Sequence, residues 1–240
     1  MIPSVDVPPG DPRLPTSPDV IVVYSDLNCS FAHVAVHRLH ETRDRLGLTG
    51  RVRFDHRAFP LELFNLGVNE RPGVDSEVAV LGALEPDAGW QLWQEKDWRY
   101  PVTMLPALEA VQAAKHQGLH VSEQLDRALR KAFWAQSRCI SLRNVILDVA
   151  AETGVVDVPD LAGRLDRGEA RAAVIEQFES ARDDRVVCSP HLFLADGTNA
   201  ANPGVSARWV NGDFGVGFPV IDSDEPDIYR TLLEKAASLA

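Results

Sequence analysis

The sequence predicts an α/β fold interrupted by an all-helical block. Three observations carry this expectation. A β-branched run, "DVIVVYSD" (19–26), leads through a helical pattern to an alternating run, "RVRFDHRAF" (51–59), the order of a β-α-β unit. Residues from about 75 to 165 hold helical patterns only, and strand signals return near 191–195 and 206–211 before a last helix.

The chain opens on a leader, residues 1–18, that contains six prolines and no apolar core. It reads as disordered or extended and lacks the anatomy of a secretory signal. The run 19–26 is bounded by polar residues, as expected of a buried strand. From Phe31 the apolar positions Ala32, Ala35, Val36, Leu39 and Leu46 follow helical spacing up to Gly47. Pro60 stops the second strand because it cannot donate to a ladder.

In the helical block, "GWQLWQEK", "MLPALEAVQAAKHQG", "VSEQLDRALRKAFWAQ" and "SLRNVILDVAAETG" all read as helices. Ser122 stands ahead of one amphipathic run and Gly154 closes another. A further helix, 169–182, leads to "VVCSPHLFLADG", where a strand at 191–195 ends in an Asp-Gly turn. A strand near 206–211 follows, and acidic residues from Asp222 to Asp227 introduce a helix over 227–239. With the helical block removed, this is the element order of a thioredoxin fold.

A chain of 240 residues, 45% hydrophobic, is long enough for a full core. Its net charge of -11 argues against a nucleic-acid surface, which needs a basic patch. No stretch approaches the roughly 20 apolar residues that cross a bilayer, so no membrane partner is expected. The expected location is the cytoplasm, where structural disulfides are rare.

Cys29, Cys139 and Cys188 are too widely spaced for a disulfide framework or a C-x-x-C zinc site. Cys29 lies where the first strand gives way to a helix, in "YSDLNCSFAHVAVHRL". A helix N-terminus supplies partial positive charge that lowers a thiol pKa, so Cys29 is expected to be a reactive thiolate. A buried, inert cysteine is the competing reading, and position alone leaves both open. Pro190 adds weight to the first: "CSPHLFL" puts a proline just before a strand, a position compatible with a cis X–Pro bond.

"SDLNCSFAH", "SPHLFLADGTNAANPG" and the helical block between them resemble the DsbA family of thioredoxin-fold proteins. The nearest branch is similar to the kappa-class glutathione transferases and 2-hydroxychromene-2-carboxylate isomerases. The resemblance implies a thioredoxin-like domain over 19–74 and 166–240, with residues 75–165 as an all-helical insertion. It places Cys29 at the nucleophile position. Ser30, Phe31 and the cis-proline pair Ser189 and Pro190 are then the substrate-binding residues.

Where dithiol members carry C-P-W-C, this chain has C-S-F-A, with Ala32 in place of the resolving cysteine. The second thiol is what releases a mixed disulfide, so an external thiol must finish the reaction. The implied activity is monothiol disulfide exchange, with no tightly bound cofactor and glutathione or another low-molecular-weight thiol as co-substrate. A small-molecule thiol or a protein disulfide is the expected partner, and a homodimer stays open. A kappa-type thiol transferase or isomerase is the alternative enzyme, and a degenerate binding module without redox activity is the non-enzyme one. Cys188, two residues before Pro190, is either a replacement resolving thiol or a packed core thiol. Cys139 is expected to be structural or incidental.

Other candidates are weaker. His33, His37 and His40 share a helical face without the H-E-x-x-H pattern or a third ligand, so a solvated face is expected and no metal site. His191 reads as a core histidine. Gly212, Gly215 and Gly217 lack the G-x-G-x-x-G order of a dinucleotide loop. Trp90, Trp93, Trp98 and Tyr100 line either an apolar cleft or the insertion's own core.

Overall fold

The computed structural model describes residues 11–183 and 185–240. A four-stranded sheet runs in the order β2-β1-β3-β4, with β1 Val20–Ser25, β2 Arg53–Ala58, β3 His191–Phe193 and β4 Asn199–Ala201. β1 pairs parallel with β2 and antiparallel with β3, and β3 pairs antiparallel with β4. Alternation along β1 sends Ile21 and Val23 to one face of the sheet and Val22 and Tyr24 to the other. Both faces are covered, which is why the run is apolar throughout rather than alternating.

On the first face, α1 (Ser30–Arg45) and the C-terminal α9 (Asp227–Leu239) pack Leu39 and Leu233 against Ile21, Phe54 and Leu192. On the second, Phe59 and Phe193 meet Ala181 and Val186. Between β2 and β3 run α2 (Leu61–Phe64), α3 (Arg71–Leu84), α4 (Leu105–Ala114), α5 (Leu119–Gln136), α6 (Arg143–Glu152), α7 (Val158–Arg167) and α8 (Arg171–Ala181). Helix thus begins immediately after β2, at Leu61, and extends past 165 to Ala181. A separate core built on Leu108, Val111, Leu125, Leu129, Phe133 and Ile146 holds these helices together.

The helical layer is joined to the sheet by buried polar contacts. Glu123 on α5 accepts the Phe54 N–H at 2.7 Å and pairs with Arg43 of α1 at 2.7 Å. Arg130, two turns further along α5, pairs with Asp126 and donates to the Asp26 carbonyl and the Ser25 hydroxyl at the end of β1. A cation this deeply buried stays only because its donors are matched.

Several expectations need correction. "GWQLWQEK" (89–96) is not helical: the Gln91 N–H donates to the Trp134 carbonyl and the Gln94 N–H to the Ser137 hydroxyl, pinning an extended strap along the end of α5. The strand near 206–211 does not join the sheet. It is β5 (Val205–Val210) and forms a separate hairpin with β6 (Phe218–Asp224), a strand the sequence did not announce. β4 was missed as well. His33 and His40 are buried rather than solvated: His33 stacks on Trp134 and meets Trp90 edge-on, and His40 meets Phe54 edge-on.

Residues 1–10 of the leader lie outside the described residues. The remainder of it is anchored: the buried Arg13 guanidinium pairs with Asp11 and with Asp183 beyond α8.

Candidate functional site

Cys29 is the N-cap residue of α1, with an extended backbone (φ -104°, ψ 115°), and its carbonyl accepts the first helical hydrogen bond from His33 N–H at 3.0 Å. The strand–turn–helix that places it there is tied by Asp26, whose carboxylate accepts Asn28 N–H at 2.7 Å and Leu61 N–H at 2.8 Å. Across from it the Ser189–Pro190 peptide bond is cis. The Ser189 hydroxyl accepts Asp26 N–H at 2.9 Å, and the Ser189 carbonyl accepts the Cys29 thiol at 3.0 Å. One turn before β3 therefore meets one turn after β1, and the thiol lies at their junction.

A cleft of about 890 Å³ opens on this junction. Cys29, Cys188 and Ser189 form part of its floor, and the segment from Leu61 to Glu70 forms one wall with Phe59 and Phe64 stacked at 4.3 Å. Leu66 projects from that wall almost wholly exposed, at 94%. Phe214, from the tip of the β5–β6 hairpin, closes the other side, its ring lying where a Cβ on Gly73 would be. A glycine on α3 is thus what admits the hairpin to the cleft.

The thiol is only 7% exposed. Burial pushes Cys29 up to about 12, and the charges of Glu77 and Asp26 push the same way, against the Ser189 side chain and the Ala32 N–H. This reverses the expectation of a lowered pKa. The helix N-terminus contributes, but the first turn's His33 is kept neutral by burial, and two carboxyl groups stand nearby. Asp26 is itself raised to about 6 by burial, despite its two backbone donors.

Sequence reading missed Glu77 altogether. It lies on α3, lines the same cleft as Cys29, and accepts the Ser30 hydroxyl at 2.7 Å. Burial raises its carboxyl to about 7, and no cation offsets that. Its signal was present: Val74, Glu77, Val78 and Leu81 form one buried stripe, and a carboxylate inside an apolar stripe calls for an explanation.

The sequence-expected residues divide. Cys29, Cys188 and Ser189 line the cleft. Ser30 is fully buried and committed to Glu77, Pro190 is buried, and Phe31 is not among the lining residues. Cys188 donates to the Pro190 carbonyl at 3.2 Å, the same carbonyl that accepts Asn202 N–H beyond β4. All three cysteines are free. Trp93 packs with Tyr100 and Phe133 in the insertion's core, Trp98 is 75% exposed, and neither lines this cleft. His191 is buried and bonds Asn199 at 3.0 Å. Among the described residues no helix is long and apolar enough to cross a membrane, and no cluster of three metal-ligating side chains occurs.

A helix-start cysteine after the first strand, facing a cis-proline turn that opens an antiparallel strand pair, defines a thioredoxin-type site. The chain belongs to the family described as DSBA-like thioredoxin domain, whose model matches residues 20–208. Its structure is similar to the cytosolic disulfide reductase DsbM from Pseudomonas aeruginosa, with a TM-score of 0.62 and 16% identity over 92% of this chain and 100% of that one. A second structure of DsbM contains GSH. A probable DsbA oxidoreductase from Streptomyces coelicolor aligns at a TM-score of 0.63 and 15% identity, covering 91% of this chain and 90% of that one. A 2-hydroxychromene-2-carboxylate isomerase aligns at 0.51 and 17% identity, covering 74% and 86%. At these identities the likeness is one of fold. No curated protein matches the chain by sequence.

Proposed function

We propose that the protein is a thiol–disulfide oxidoreductase that works with Cys29 alone and an external low-molecular-weight thiol. The observation that carries this reading is the Cys29 thiol held against the Ser189 carbonyl at the floor of an open cleft. The Cys29 thiolate attacks one sulfur of a disulfide, the S–S bond breaks, and the distal half departs with the electron pair as a thiolate. A second, external thiolate attacks the mixed disulfide, frees Cys29 and leaves as the new disulfide. Before the attack the Cys29 thiol gives up its proton to solvent, and each departing thiolate takes one back from solvent. Cys188 lines the same cleft but donates to the Pro190 carbonyl, and the proposed cycle does not use it.

The reading is cytoplasmic: three free cysteines suit a reducing compartment, and the similar DsbM is described as cytosolic. Turnover of a small disulfide with an excess of thiol, comparing wild type with Cys29→Ser and Cys188→Ser, tests it. Only Cys29→Ser should abolish turnover; equal loss in Cys188→Ser would make Cys188 the resolving thiol.

One observation favours a second reading. A thiol raised to about 12 stays protonated at neutral pH, as is needed by a group that donates a hydrogen bond to a bound thiol cofactor in a transferase or isomerase. Under that reading Cys29→Ser keeps activity, since a hydroxyl donates as well.

A further inference from the structure

The charged side chains that line the Cys29 cleft are all of one sign. Glu77 and Glu70 are its only ionisable side chains apart from the cysteines, and no lysine, arginine or histidine lines it. Neither glutamate forms an ion pair among the described residues, so above about pH 7, where Glu77 ionises, the cleft's negative charge is not cancelled by a partner cation. Arginines close to the lining segments are committed elsewhere: Arg71 to Asp75 and Asp97, Arg185 to Asp183 and Asp11, and Arg130 to Asp126 and the Asp26 carbonyl. Beneath the thiol lies a third carboxyl group, Asp26. The remaining lining is apolar or amide, including Phe59, Phe64, Phe214, Asn65 and Asn69.

An incoming disulfide has to bring the group beside its sulfur to within a few ångströms of these carboxylates. A carboxylate on that group meets like charge in a partly desolvated cleft with no cation to receive it. An ammonium meets opposite charge, and a hydroxyl or amide meets donors and acceptors it can pair with.

We infer that the cleft selects small disulfides and thiols that carry no net negative charge, with cationic ones reacting fastest and net anionic ones, glutathione included, slowest. The inference rests on the monothiol reading and deepens it by naming the class of co-substrate. The chemistry is unchanged: the disulfide is the oxidant, Cys29 takes one half as a mixed disulfide, and the other half leaves as a thiolate.

The test uses the intact protein and three disulfides of similar size: cystamine, bis(2-hydroxyethyl) disulfide and 3,3′-dithiodipropionate, with glutathione disulfide as a fourth. Rates of Cys29 modification at about pH 8.5, where Glu77 is ionised, are read by mass and divided by the rate of each disulfide with free 2-mercaptoethanol, which removes intrinsic differences in leaving group. A unit charge several ångströms from a carboxylate at an intermediate effective dielectric changes a rate by about tenfold. Cystamine should therefore react about tenfold faster than the neutral disulfide, and dithiodipropionate about tenfold slower. Glutathione disulfide should fall with the slow one. The spread should narrow in 0.5 M salt, and Glu77→Gln should narrow it at low salt. Using the ratio between disulfides keeps this readout independent of any change that Glu77→Gln makes to Cys29 itself.

Equal corrected rates, or glutathione disulfide ahead of the neutral probe, would overturn the charge selection while leaving monothiol exchange standing. Failure of all four disulfides to modify Cys29 would overturn both.

Discussion

Replacing Glu77 by glutamine gives the most quantitative prediction. The carboxyl is buried, its one hydrogen-bond donor is the Ser30 hydroxyl, and burial lifts it from an ordinary 4.5 to about 7. Between those values the folded chain keeps a proton that the unfolded chain has lost. Stability is thus fully present below about 4.5 and is lost as pH rises through about 7. A gap of about 2.5 units, at about 1.4 kcal/mol each, makes this loss about 3 kcal/mol. Asp26, raised from 3.8 to about 6, adds loss of the same sign, but it is present in both proteins and cancels in the comparison. Glutamine still accepts from Ser30 and never ionises. Relative to wild type, the variant should gain about 3 kcal/mol between pH 4.5 and pH 8, or roughly 6–12 °C in melting temperature for a chain of this size. Urea unfolding across that range measures it, with m-values checked for two-state behaviour. Parallel stability profiles for the two proteins would refute the reasoning, because they would mean that Glu77 ionises in the folded state as readily as in water.

Alkylation of Cys29 by iodoacetamide, followed by peptide mass, should rise about tenfold per pH unit from pH 7 to 9 without levelling, since the thiol is held near 12. A plateau below pH 8 would show an activated thiolate instead. Ala32→Cys should form a disulfide with Cys29 and gain dithiol reductase activity on a protein disulfide, because positions three apart share a helix face. A folded variant with neither property would mean that Cys29 is not at the nucleophile position of this fold. Arg130→Ala should cost about 3–5 kcal/mol, since it leaves the buried Asp126 carboxylate with only the His56 ring, at 3.6 Å, and frees the Asp26 carbonyl. A loss below 1 kcal/mol in denaturant would contradict the role given to that contact.

The strand–helix–strand opening and the cis-proline segment were legible because each is a local pattern: a β-branched run, a period-3.6 stripe, a proline before a strand. The cleft was not, because its walls come from far apart in the chain. Glu77 reaches the cleft from α3 and Phe214 from a hairpin tip, and no local pattern ties either to residue 29. "GWQLWQEK" failed for a related reason. Its apolar spacing imitates a helix, but tertiary hydrogen bonds to Trp134 and Ser137 hold it extended. β4, three residues long, is too short for alternation to register. The helix-start argument for Cys29 identified a real geometry and mistook its consequence, since burial in the folded chain, which no local pattern announces, reverses the pKa.

The central claim is that Cys29 alone carries exchange chemistry, and one measurement reaches it most directly. The native protein is incubated with excess bis(2-hydroxyethyl) disulfide above pH 8 and quenched with acid, and the adduct is located by peptide mass. The account predicts one mixed disulfide, on Cys29, which a small thiol removes to restore the starting mass. An adduct on Cys139 or Cys188 with Cys29 unmodified would contradict it.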